Sequence, residues 1–328
     1  MRRIVCCFLC VIVLFLLVML FWPRKEEGFG SPKKIAAYNG FSFHYEMYGY
    51  ILDYCKSRNY SLTIYADNEN DLGYIDFYKE VFFGDVELKS ASQFQEERYD
   101  YDAIFLLTDD DFSFPTDDAK INRKTICIDH FHEIRNPAFE THVATRPFAS
   151  ELAWALPTYP ILTSREKNVD KEEDVIVMLG HNPNEYNKNV LQRLVSSRKL
   201  RLIVISRNNE STITGLPYPV EYYSDLSTPE LIQILRRASY VITDVTNHKN
   251  YSQELMSGSI PLAFSTLTPL IMSKATNEYY KFQNVIEFVD GSTQDIVLKD
   301  IDIVALEKER DDLVLRNYEL FDNILSIL

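Results

Sequence analysis

Residues 33–66 read KKIAAYNGFSFHYEMYGYILDYCKSRNYSLTIYA. The apolar run Lys33–Tyr38 is too short for a helix and predicts a strand. A glycine-containing loop, Asn39–His44, follows it. Tyr45–Arg58 predicts a helix, and Ser61–Ala66 a second strand. Strand, loop, helix, strand is how a parallel sheet begins. Later short runs repeat the signal at Val86–Leu88, Ala103–Leu107 and Thr125–Ile128. None alternates polar with apolar, as expected of strands covered on both faces.

Between Pro147 and Glu173 the composition changes, with Pro147, Pro157 and Pro160 followed by the charged stretch Arg165–Asp174. The strand signal then restarts at Val175–Leu179 and is followed by a loop, Gly180–Glu185. A helix is predicted at Tyr186–Ser197, a strand at Leu200–Ile205, a helix at Thr228–Arg237 and a strand at Tyr240–Thr243. A helix at Tyr251–Ser257 and a strand at Ile260–Phe264 complete the second series. Ile303–Leu328 reads as one long closing helix. The prediction is an α/β protein with two Rossmann-like, doubly wound units at residues 31–165 and 166–302. The helix at 303–328 is placed to cross back to the first unit.

The chain has 328 residues, with 34 basic and 48 acidic side chains. Four of the basic and two of the acidic ones lie in the first 30 residues, leaving 30 against 46, a net charge of −16. Such a surface repels a phosphate backbone, so nucleic acid is excluded as a partner. With 46% hydrophobic residues, 20 Phe and 21 Tyr, the body can bury a large core and is not a disordered chain. Only Cys55 and Cys127 lie beyond the N-terminal apolar run, so there is no disulfide framework and no C-x-x-C pair. Both read as buried small apolar side chains.

Residues 1–30 predict a membrane anchor and linker. Ile4–Trp22 is 19 residues without a charge, flanked by Arg2 and Arg3 on one side and by Pro23, Arg24 and Lys25 on the other. As a helix it spans about 30 Å, the thickness of a hydrocarbon core. Bulky residues run up to its end, where a cleavable signal would carry small ones. A single uncleaved span through residues 4–22 is therefore expected. The body is placed on the lumenal side of an ER- or Golgi-like membrane, with the cytoplasmic face as the alternative. The sequons at Asn59, Asn209 and Asn250 do not decide between them.

In open parallel sheets, ligands sit beyond the carboxyl ends of the strands, which directs attention to the loops there. After the first strand come Asn39, Gly40, His44 and Glu46. An imidazole at that place can act as general base on a hydroxyl, with Glu46 orienting it or taking the same role. The alternative is a helix cap, or packing beside Phe43 and Tyr45. After Val175–Leu179 come Gly180, His181 and Asn182, where a tight turn and helix amides favour a diphosphate. Neither GxGxxG nor GxxxxGK[ST] occurs. Arg207 follows the strand at Leu200–Ile205 and is a candidate phosphate ligand. Thr243 and Asp244 end the strand at Tyr240–Thr243. His130 and Arg135 are candidates to line the cleft. Asp109-x-Asp111 offers a competing chemistry, because two carboxylates so spaced can hold a divalent cation with a diphosphate.

The stretch Tyr251–Phe264, YSQELMSGSIPLAF, carries a family resemblance. A helix with an acidic or amide residue, then Ser257-Gly258, then x-x-Pro leading into a strand, resembles the donor site of GT-B glycosyltransferases. Gly258 matches the family glycine and Pro261 the family proline. The usual spacing puts the carboxylate at Gln253, with Glu254 one residue later. The resemblance implies a transferase that moves a sugar from a nucleotide-sugar to a glycan, glycoprotein or glycolipid hydroxyl. His44 would be its base, and no cofactor or metal would be obligatory. The donor would be held by Gly180, His181, Asn182, Arg207, Thr243, Asp244, Gln253, Glu254, Ser257 and Gly258. The alternatives are a GT-A-like, metal-dependent transferase built on Asp109 and Asp111, and a non-catalytic sugar- or partner-binding ectodomain.

Overall fold

The structure is a computed structural model. It describes residues 32–41, 44, 46–66, 73–82, 86–109, 111, 113–148, 152–168, 170, 172–180, 188–206, 213–244 and 256–328. The membrane span expected at residues 4–22 lies outside them. No helix among the described residues is long and apolar enough to cross a membrane.

In the first half, β1 (Lys34–Asn39), α1 (Glu46–Ser57), β2 (Ser61–Ala66), α2 (Tyr74–Val81), β3 (Glu87–Lys89) and α3 (Ala91–Glu97) alternate. β4 (Ala103–Leu106), α4 (Ala119–Arg123), β5 (Thr125–Asp129) and β6 (Thr141–Ala144) follow. The second half opens with β7 (Glu173–Leu179), α5 (Lys188–Gln192), β8 (Leu194–Val195), β9 (Lys199–Ser206), β10 (Val220–Ser224), α6 (Thr228–Arg237) and β11 (Tyr240–Ile242). It closes with α7 (Ser259–Ser265), β12 (Leu270–Ser273), α8 (Lys274–Tyr280), β13 (Val285–Phe288), β14 (Ile296–Val297) and α9 (Ile303–Leu325).

The first sheet has the order β3-β2-β1-β4-β5-β6 and the second β10-β9-β7-β11-β12-β13. All their pairings are parallel. Counted from its own first strand, each sheet runs 3-2-1-4-5-6, the doubly wound order. The direction of winding reverses beside the first strand, at β1/β4 and at β7/β11, and ligands bind at that crevice.

The unalternating strand sequences have a simple cause. On β1, Ile35 and Ala37 enter the core that also holds α1 residues Met47, Ile51 and Tyr54, while Ala36 and Tyr38 enter a separate cluster with Phe94 and Phe114. Both faces are covered, so both alternating sets are apolar. The first of these cores continues without a break into the second half through Val177, Ile205, Met256 and Phe264. α9 lies on α1. Its Phe321 packs 5.2 Å from the Tyr54 ring and 5.1 Å from Phe105, and Asp322 pairs with Arg58 at 2.6 Å.

Three expectations are corrected, wholly or in part. Ile260–Phe264 is not a strand but most of helix α7. Pro261 falls in its first turn, where an amide hydrogen has no helical partner, so the proline costs nothing there. The strand comes later, at β12, and it is Pro269 that leads into it. A short apolar run cannot be assigned to helix or strand by periodicity alone. Of the long helix expected at Tyr186–Ser197, residues 186–187 lie outside the described residues, Lys188–Gln192 form α5, and Leu194–Val195 instead pairs with Ile296–Val297. Of the helix expected at Tyr251–Ser257, residues 251–255 lie outside the described residues, and Met256 and Ser257 are not helical.

Candidate active site

The β1 crevice gathers three titratable side chains. His44 stands just before α1 with a left-handed backbone, φ 67°. Its carbonyl accepts the Met47 amide at 3.0 Å, which begins the helix. Its Nδ1 lies 3.4 Å from Glu46 Oε1, long for a hydrogen bond but within ion-pair reach. About a quarter of each side chain is exposed, 28% and 27%. The His130 ring lies 4.5 Å from the His44 ring at 45°.

The electrostatics separate the two imidazoles. His130 is 7% exposed and its Nε2 donates to the Leu107 carbonyl at 2.8 Å. Burial, joined by the charge of His44, pushes His130 down to about 3, so it is neutral at any ordinary pH. Burial alone would raise the Glu46 carboxyl. The hydrogen bond and charge of His44 and the backbone amide at the start of α1 outweigh it and hold Glu46 below its usual range. The result is a carboxylate beside a partly exposed imidazole, with a neutral imidazole behind. An ionised carboxylate on Nδ1 leaves Nε2 as the basic nitrogen, the arrangement a general base requires.

The second half reaches the same place through Gly258, which caps α7. A Cβ added there would lie 3.3 Å from Glu46 Oε1. Beside it, Ser257 and Ser259 are buried, with hydroxyls 2.6 Å apart. At the β7/β11 crevice, Gly180 has φ 70°, and no atom of the described residues beyond its chain neighbours lies within 4 Å of where its Cβ would stand. Thr243 is buried, and Asp244, φ 61°, accepts the Ser273 amide at 3.1 Å. Burial raises the Asp244 carboxyl, opposed by Ser273, Thr276 and the charge of Arg146. Arg146 follows β6 and is fully buried, with its guanidinium 5.0 Å from the Tyr280 ring and 5.4 Å from Tyr279. His181, Asn182, Arg207, Gln253 and Glu254 lie outside the described residues.

Other candidates have structural duties. Asn39 is buried, bonded to the Tyr48 hydroxyl at 3.0 Å and to the Phe41 amide at 3.2 Å. Gly40 donates its amide to Asp111 Oδ2 at 2.5 Å, and a Cβ there would meet Ser113 Oγ at 2.2 Å. Glycine is required for that approach. Asp111 also takes the Ser113 amide at 3.0 Å, and Asp109 takes the His130 amide at 3.1 Å. Both carboxylates are buried, Asp109 at 0% and Asp111 at 2% exposure, and both oxygens of Asp111 and Oδ1 of Asp109 accept from loop groups. Arg135 is exposed and stacks 3.1 Å over Phe131. The sequence reading did not foresee that His130 touches His44, nor that Arg146 is buried among aromatic rings of the second half. Both follow strand ends, but only the folded sheet order brings them to the site.

Two doubly wound sheets in series, with crevices at matching places, define the GT-B fold, and solved structures bear this out. The Anabaena HepE structure in complex with UDP-glucose matches with a TM-score of 0.55 at 12% identity, over 90% of this chain and all of the other. AviGT4, a glycosyltransferase involved in avilamycin A biosynthesis, matches with 0.56 at 10% identity, over 90% of this chain and 97% of its own. An α-glucosyltransferase in complex with UDP and a mismatched 13-mer DNA matches with 0.51 at 9% identity, over 88% and 94%. At such identities the likeness is one of fold. No protein-family model and no curated protein matches the chain.

Proposed function

We propose that this protein is a glycosyltransferase that uses a nucleotide-sugar donor. The observation that carries the reading is the His44–Glu46 pair at the β1 crevice, met from the second half by Gly258. The GT-B fold shared with nucleotide-sugar enzymes supports it. In this reading His44 Nε2 takes the proton of an acceptor hydroxyl. The freed oxygen attacks the anomeric carbon, and the bond to the diphosphate breaks. Glu46 holds the imidazole in orientation and stabilises its protonated form. The leaving diphosphate gains charge, which Gly180, His181, Asn182 and Arg207 would meet, while Asp244 and Gln253 or Glu254 would hold donor hydroxyls. Because Asp109 and Asp111 are engaged by backbone amides, transfer is proposed to need no added divalent cation.

UDP-sugars are the first donors to test, because HepE is seen with UDP-glucose. The acceptor is proposed to be a glycan, glycoprotein or glycolipid, with residues 4–22 as a membrane tether and the body lumenal. The test is transfer by His44→Ala, Glu46→Gln and the unaltered protein, with and without added Mg²⁺ or Mn²⁺. Loss of the base should lower the rate by about 10²–10⁴-fold, and loss of the orienting charge should lower it less. A full rate from His44→Ala, or an absolute need for the cation, would overturn this mechanism.

A further inference from the structure

Among the described residues one group of three metal-ligating side chains lies outside the crevice: Cys127, Asp129 and His142. The strands create it. Cys127 and Asp129 are two apart on β5 and so share a face of the sheet. In the parallel register with β6, Cys127 stands opposite His142 and Asp129 opposite Ala144. Asp129 Oδ1 is 3.7 Å from Cys127 Sγ, and the two Asp129 oxygens are 3.1 and 3.0 Å from His142 Nδ1. Cys127 and Asp129 are wholly buried, and the His142 side chain is 7% exposed.

The histidine tautomer narrows what the group can be. His142 Nε2 lies 3.1 Å from the Phe139 carbonyl, which can only accept, so the ring carries a hydrogen on Nε2. Nδ1 then faces a carboxylate, and something positive must stand between them: a proton or a metal ion. An imidazole whose far nitrogen donates to a backbone carbonyl is the usual posture of a metal-bound histidine. Zinc bonds of about 2.3 Å to sulfur and about 2.0–2.2 Å to nitrogen and oxygen give tetrahedral edges of roughly 3.3–3.6 Å. Two of the three edges, the observed 3.0–3.1 and 3.7 Å separations, need shifts of only a few tenths of an ångström, and the Cys127–His142 edge is within 4.8 Å. A thiolate, a carboxylate and a neutral imidazole balance a divalent charge, as a buried site requires. Sulfur with nitrogen selects zinc over magnesium or calcium.

We propose that Cys127, Asp129 and His142 bind one zinc ion that ties β5 to β6. Binding displaces the thiol proton and any proton on Nδ1 to solvent, and the three side chains leave one position for a fourth ligand. The ion would fix the strand ends that carry His130 and Arg146, because His130 follows Asp129 directly and Arg146 lies two residues beyond the end of β6.

The full-length protein, purified without a metal-affinity resin, should contain one zinc per chain by elemental analysis. The metal-stripped protein should unfold at a lower temperature and recover when Zn²⁺ is added. Co²⁺ in its place should give the thiolate charge-transfer band of a tetrahedral cobalt–sulfur site. Cys127→Ala, a small change in a buried place, should abolish that band and lower zinc content about tenfold or more, with circular dichroism reporting that the fold persists. Should Cys127→Ala fail to fold, the cobalt spectrum of the unaltered protein still decides. Metal-free protein whose unfolding ignores Zn²⁺ and which gives no cobalt–thiolate band would overturn the proposal. Undiminished zinc in Cys127→Ala would overturn it too. The group would then be an imidazolium–carboxylate pair.

Discussion

His44 holds a left-handed backbone, φ 67°. For a side chain other than glycine this costs about 1–2 kcal/mol, and asparagine bears it best. Strain kept beside a carboxylate in a crevice fits the proposed role of His44 as base. His44→Asn should therefore unfold within a degree or two of the unaltered protein while losing transfer, which paired thermal scans and rate measurements check. At Gly40 the reverse holds. Gly40→Ala drives a methyl into Ser113 and the Asp111 carboxylate, so it should destabilise by about 1–3 kcal/mol in denaturant titrations. The place of His44 and Glu46 was legible because both follow the first strand, at the end where open sheets hold ligands; their catalytic role is the proposal. His142 was not. It lies 15 residues beyond Cys127, and only the β5/β6 register makes them neighbours.

Among the elements, α7 shows how one local rule yields to another. The helix ends in a Schellman motif, with Leu267 N–H to Phe264 O at 3.1 Å and Thr268 N–H to Ala263 O at 2.8 Å. The residue between, Leu267, is left-handed at φ 50°, where glycine is usual. It is also fully buried. Truncating a buried leucine costs about 2–5 kcal/mol, more than the strain of about 1–2 kcal/mol that glycine would relieve. Leu267→Gly should thus lower stability, by about 1–3 kcal/mol in chemical denaturation. This substitution pattern also hid the strand from the sequence. The Gly258-x-x-Pro261 spacing drew a strand onto α7, while the turn and proline before β12 are Leu267 and Pro269. The strands β1, β2, β4, β5, β7 and β9 were legible to within two residues at each end, because runs covered on both faces are uniformly apolar. β6 and β10 were not, since Thr141–Ala144 and Val220–Ser224 carry polar or exposed residues at sheet edges.

In the whole molecule, Lys167 ties the connecting segment to the second half. Its amine donates to the Leu235 carbonyl, at the end of α6, and to Thr268 Oγ1 at 2.8 Å. Burial pushes the amine down to about 7, from 10.5 when exposed. The folded state therefore binds fewer protons than the unfolded one between those values, and its stability rises with pH across that window. The cost of burying the amine is complete below about pH 7 and fades toward 10.5. Lys167→Met should gain most, relative to the unaltered protein, near pH 6, and the gap should narrow by pH 9 in parallel thermal scans. The paired halves and their matching crevices were legible in the restart of the strand pattern. Their shared core was not, because it joins side chains more than 100 residues apart. Use of a nucleotide-sugar is read out by donor binding: thermal unfolding of the protein against UDP, GDP, CMP and their sugar conjugates. A ligand at about 100 times its Kd should add roughly 2.7 kcal/mol. One nucleotide should raise the unfolding temperature, and His44→Asn should keep that shift while losing transfer. A folded protein that no nucleotide stabilises would exclude a nucleotide-sugar donor and leave the fold serving another partner.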